Sequence, residues 1–190
     1  SLSNDILTGS QVFLNLRIES DEGYDRTEIF TITAGSVSED DPLGPDEYGY
    51  YIYDSGDAGY DFAPVYDWIE IDTQYGGNGI DLNLSDGGDG NNATNSTAIV
   101  DLPFTFNFYG DSYNNISINT NGWITFGETE LMSFRNYSLP GPGGPSPMLA
   151  AFWDDMKTSS GGDVFYQKFP EGCDTPSLQD ECEYVIIEWS

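Results

Sequence analysis

Alternation of apolar and polar residues dominates the chain, and helical periodicity is nearly absent. Val12, Leu14, Leu16 and Ile18 alternate with Phe13, Asn15, Arg17 and Glu19. This two-residue period belongs to a strand with one apolar face. The polar stretch SDEGYDRT follows, then EIFTIT, so a β-hairpin is expected near the N-terminus. Residues 35–47, GSVSEDDPLGPDE, cluster proline, glycine and acids and read as a linker or domain boundary. The expected organisation is a hairpin or strand extension with its linker over 1–41, then a larger β module over 42–190, incomplete at its C-terminus.

Further strand signals follow. In YGYYIYDSGDAGYDFAPVYDWIEI the tyrosines are expected to line a sheet surface, with their phenol oxygens reaching water or carboxylates. A Gly/Asp/Asn-rich excursion, YGGNGIDLNLSDGGDGNNATNST, comes next. LPFTFNFYG then sets Phe104, Phe106 and Phe108 on one face. NNISIN, GWITFG and residues 149–153, 164–169 and 184–189 supply more strands. Roughly eight to ten short strands separated by turn signals predict an all-β, antiparallel β-sandwich with an Ig-like N-terminal hairpin or strand extension.

Charge narrows the partners. The 190 residues carry five Lys+Arg against 33 Asp+Glu and no histidine, a formal net charge of −28. Nucleic acid is excluded as a natural partner, because phosphate binding needs Lys and Arg to displace counterions. The longest apolar run, MLAAFW, is far too short for a membrane-spanning helix, so no membrane insertion is expected. No signal peptide begins the sequence, which looks like a mature product or a fragment. Acidity of this degree serves solvation or divalent-cation binding.

Calcium is the cation whose chemistry fits, since it takes carboxylate, amide and backbone oxygens. DSGDAGYD offers Asp54, Asp57 and Asp61; DGGDGNN offers Asp86, Asp89 and Asn91. Neither matches the twelve-residue EF-hand loop, and acidic turns without metal remain the alternative. Cys173 and Cys182 lie in a polar insert between strand-like VFYQKF and EYVIIEW. A disulfide there would pin a hairpin loop and suits an oxidising extracellular compartment; two free thiols are the alternative. Five N-x-S/T sequons, at Asn83, Asn92, Asn95, Asn115 and Asn136, offer sites for covalent glycans.

A family resemblance emerges from longer motifs. LPFTFNFYGDSYNNISINTNGWITFG, FRNYSLPGPGGPSPMLAAFWDDM, GGDVFYQ and YVIIEWS together resemble a β-sandwich module of large secreted bacterial surface and protease proteins. GPDEYGYYIYD resembles the start of that module. Residues 119–167 are also similar to the nidogen-type extracellular (NIDO) domain. The resemblance implies a non-catalytic, extracellular or cell-surface unit. Such modules continue with further strands after a segment like IIEWS, so an open sheet edge is expected here.

Catalysis finds little footing. Without histidine no Ser/His or Cys/His nucleophilic system exists, and zinc is improbable. Asp154 and Asp155 with Glu188 imitate a glycosidase carboxylate pair, although sequence gives no separation for them. Trp123 and Trp153 read as core anchors, with a sugar-stacking platform as the alternative. The expected function is therefore that of a non-enzymatic extracellular structural protein. It would be a glycosylated subunit of a surface layer, matrix or fibre, with further copies of itself as partners. Residues Val12, Leu14, Leu16 and Ile18 of one copy would complete the sheet of the next by strand donation. The alternative is a calcium-dependent carbohydrate-binding or adhesion module of a larger secreted protein.

Overall fold

Alternation in the sequence becomes nine strands, every pairing antiparallel, and one short 3-10 turn among the described residues. The computed structural model describes residues 9–35, 41–88, 95–139, 141, 143–169 and 183–190. The chain divides into two compact units, Ser1–Tyr66 and Asp67–Ser190. Residues 42–66, grouped in the sequence with the larger module, cluster in the first unit.

The first unit holds a two-stranded ribbon. β1 (Gln11–Glu19) pairs with β2 (Asp25–Thr33) from Gln11↔Thr33 to Glu19↔Asp25. Arg17 clamps the turn end, donating from Nε and Nη2 to the two Asp25 oxygens at 3.0 and 2.8 Å. The register gathers Val12, Leu14, Leu16, Ile18, Phe30 and Ile32 on one face. The other face carries Phe13 and Ile29 among threonines and charged groups. Apart from Val12, which is half-buried, all these apolar side chains are exposed.

Residues 41–66 form turns where a sheet surface of tyrosines was expected. Their only described pairing is the single bridge Leu43↔Ile52. Asp46 Oδ1 accepts the backbone N–H groups of Tyr48 and Tyr50 at 2.9 and 3.0 Å. Asp54 and Asp57 form a capping box around the 3-10 turn Ser55–Asp57. These carboxylates take the N–H groups that a ladder would need, which is how Asp competes with sheet.

The second unit is a sandwich of two sheets. One contains β3 (Ile80–Asp81), β8 (Val164–Phe169) and β9 (Tyr184–Trp189), in the order β3-β8-β9. The other runs β4-β5-β6-β7 and comprises β4 (Thr97–Phe108), β5 (Asp111–Asn119), β6 (Trp123–Phe126) and β7 (Met148–Ala150). The β4–β5 register shifts between Asp101 and Phe106, around Pro103, which has no N–H for the ladder. Tyr109 and Gly110, both with positive φ (47° and 88°), close the β4–β5 hairpin, the backbone that two-residue hairpin loops favour.

Between the sheets Ile116, Ile118, Ile124 and Phe126 meet Val164 and Tyr166, with Val185, Ile187 and Trp189 packed alongside. Two polar struts cross this core. Tyr166 Oη donates to the Asp101 carbonyl at 2.8 Å, and Trp189 Nε1 donates to the Asn119 carbonyl at 2.8 Å. Burial, and secondarily the charge of Asp101, pushes the Tyr166 phenol up to about 12, so the strut keeps its proton. On the opposite face of the four-stranded sheet, Trp123 and Trp153 are both buried. Both indoles donate to the Ser133 carbonyl, at 2.8 and 3.1 Å.

Candidate functional site

β9 ends its sheet. Its inner edge pairs with β8 from Phe169↔Tyr184 to Val164↔Trp189, and among the described residues no strand pairs with its outer edge. Alternation turns Val185, Ile187 and Trp189 toward the core. Between β9 and the four-stranded sheet lies an open cleft of about 370 Å³. Leu102, Phe104, Ile124 and Leu149 line one wall, with Val185 and Ile187 on the other. Glu183 and Tyr184 are the titratable side chains in its lining. An apolar cleft beside unpaired backbone offers hydrogen bonds along one side and apolar contact beneath, the chemistry of strand addition.

A second cluster is acidic. Glu188 lies buried and its Oε2 accepts from Ile71 N–H at 3.0 Å. Burial pushes the Glu188 carboxyl up; the nearby charge of Glu70, a hydrogen bond shared with it, and Asp72 add to this, while the Ile71 N–H opposes it. Asp72 is also buried and accepts from Ser190 Oγ at 2.5 Å and Gln74 N–H at 2.7 Å. Asp163 is raised by burial, then by Asp81 and Asp72. Protein donors anchor these carboxylates. Among the described residues no group of three or more His, Cys, Asp or Glu is placed to hold a metal ion.

The sequence-predicted metal ligands divide. Asp54 and Asp57 cap the 3-10 turn, and Asp61 is exposed. Asp57 is 3% exposed, and its Oδ1 has no hydrogen-bond partner. Asp86 is buried with both oxygens engaged. Its Oδ2 accepts from Thr120 Oγ1 at 2.6 Å and Asn121 Nδ2 at 3.4 Å, and its Oδ1 accepts from Gly88 N–H at 2.9 Å. Asp89 and Asn91 lie outside the described residues, as do Asn92, Cys173 and Cys182. Asn83, Asn95 and Asn136 are exposed; Asn115, within β5, is half-buried. Asp154 caps its own turn, its Oδ1 accepting from Asp155 N–H at 2.8 Å. Val12, Leu14, Leu16 and Ile18 all lie on one face of β1.

Sequence inspection missed the cleft, because its lining comes from five strands scattered between residues 102 and 187. The usable signal was Leu149, an apolar residue in a three-residue edge strand.

Residues 75–169, half of the 190-residue chain, match the model of the NIDO-related family. The chain belongs to this family. The match runs from the turn before β3 to the end of β8 and agrees with the nidogen-type resemblance of residues 119–167. It marks a domain of extracellular type. No curated protein matches, and no solved structure does.

Proposed function

We propose that this NIDO-related chain is a non-enzymatic structural module of an extracellular or cell-surface assembly. It joins to further copies of itself as a subunit of a layer, matrix or fibre, and carries glycans on its sequons. One observation supports this reading: among the described residues, a strand edge without a partner lies beside an apolar cleft, and a separate ribbon carries one apolar face. Such an edge invites pairing with another chain unless it is blocked or covered. Exposed Asn83, Asn95 and Asn136 would leave room for sugars. Sedimentation velocity of the full chain over a range of concentrations tests the proposal. Concentration-dependent growth beyond the monomer is expected. A monomer at every concentration and salt would remove it.

A second reading draws on exposed aromatics. Phe62, Tyr66, Trp68 and Tyr75 are all more than half exposed, Tyr66 at 85%. Exposed rings of this kind suit stacking on sugars. Calcium-dependent glycan binding is therefore the alternative, and a glycan array with and without chelator separates it from self-assembly.

A further inference from the structure

The assembly proposal leaves open which surfaces meet. Resting on that reading, we infer that the β1–β2 ribbon of one copy seats against β9 of a second copy. β1 adds to the free edge of β9, and the apolar ribbon face covers the cleft. The three-stranded sheet thereby gains a fourth and a fifth strand.

Four observations favour this occupant. A two-stranded ribbon by itself is marginally stable in water; among the described residues no third strand pairs with this one, and it exposes six apolar side chains on one face, Val12 the least. The cleft requires a strand with apolar residues at every second position. β1 has four in succession, Val12, Leu14, Leu16 and Ile18, whereas β2 brings only Phe30 and Ile32 to that face. This assigns β1, not β2, to the junction. Length also agrees: the nine residues of β1 span the six of β9. Charge permits it. On the apolar ribbon face Arg26 pairs with Glu28, so the surface presented to a strongly acidic molecule is itself neutral. The opposite ribbon face, with Asn15, Arg17 and Glu19, stays in water.

The contact is head-to-tail, because ribbon and cleft are different surfaces, so it propagates unless it closes into a ring. That asymmetry supplies the test. Leu16→Asp places a charge on the ribbon face. Leu149→Asp places one at the cleft wall, on a residue already exposed in the monomer. Ile29→Asp marks the opposite ribbon face as a control. Each full-length variant is first checked for native melting. Sedimentation should then show Leu16→Asp and Leu149→Asp weakened in self-association by roughly tenfold or more, with Ile29→Asp unchanged. An equimolar mixture of the first two should form a 1:1 dimer and stop there, since it holds one intact ribbon–cleft pair.

Hydrogen exchange of the unaltered chain gives a second measurement that needs no variant. Amides in β1 and β9 should gain protection in the assembled form and lose it on dilution. Assembly that persists in Leu149→Asp, or fails equally in Ile29→Asp, overturns this seat while leaving self-assembly standing. Protection of β9 that does not change with concentration overturns it as well, since the edge is then covered within one chain. A chain that never associates removes both this inference and the reading on which it rests.

Discussion

Glu188 is buried beside Glu70 and Asp72, and its charge is opposed by burial and by its neighbours. A carboxyl raised above its ordinary 4.5 binds its proton more tightly in the folded state than in the unfolded chain. Between 4.5 and the raised value the folded state holds more protons, so stability rises as pH falls through that window and levels off below it. Asp163 acts in the same direction. Glu188→Gln keeps an acceptor for Ile71 N–H and removes the charge. It should raise the melting temperature at pH 7, with the advantage vanishing near pH 4; a variant that melts lower at pH 7 contradicts this account. Asp57 is buried with one side-chain oxygen unpartnered. If calcium completes it, millimolar calcium raises the melting temperature by mass action, and Asp57→Asn abolishes the response. Melting that ignores both calcium and chelator sinks the calcium expectation at this site.

Strands are held in place by turns, and the β5–β6 turn leaves no room for a side chain at Gly122. Gly122 has φ +72°, and a Cβ there would lie 2.0 Å from the Phe152 carbonyl oxygen. The same turn carries Asn121, fully buried, whose Oδ1 accepts from Met156 N–H at 3.0 Å while its N–H is held by Asn119 Oδ1 at 2.9 Å. One loop thus locks β5, β6 and the segment after β7. Gly122→Ala should cost well over about 1 kcal/mol, combining an unfavourable φ with a backbone clash. Urea unfolding measures this, and a shift within experimental error would mean that the turn relaxes freely. Among the described residues the ribbon shows no comparable lock. Its Arg17–Asp25 pair holds the Asp25 carboxyl below the usual range but is fully exposed, where ion pairs add little.

For the whole molecule, the −28 net charge works against compaction and against association alike. Raising sodium chloride from about 0.01 to 0.1 M shortens the Debye length from roughly 30 to 10 Å. The melting temperature should climb over that range, and self-association should strengthen. This is the reverse of the salt dependence of a nucleic-acid complex. A flat response in differential scanning calorimetry would show that the charges are already too dispersed to matter. Against repulsion stands the apolar ribbon face. Covering six half-exposed side chains returns on the order of 5–9 kcal/mol, from about 1.5–3 kcal/mol for each fully buried one. Salt screens the repulsion and leaves the apolar burial in place, so it should tune assembly.

Local pattern alone determined the strand class and several strands. Residues 164–169 and 184–189 form β8 and β9 at those bounds, because their aromatic and β-branched residues favour strand locally. The hairpin of residues 11–33 was legible from its alternation. The tyrosine run forms turns although tyrosine favours strands, because Asp46, Asp54 and Asp57 hold the local N–H groups. Asp86, a candidate loop ligand by its sequence, is also held by Thr120 and Asn121, more than thirty residues away, which donate to its Oδ2. The cleft exists only because Leu102, Leu149 and Ile187 are brought together from separate strands. No sequence window contains that meeting. Side-chain alternation is written residue by residue, whereas coverage of an apolar face depends on what the rest of the chain places against it.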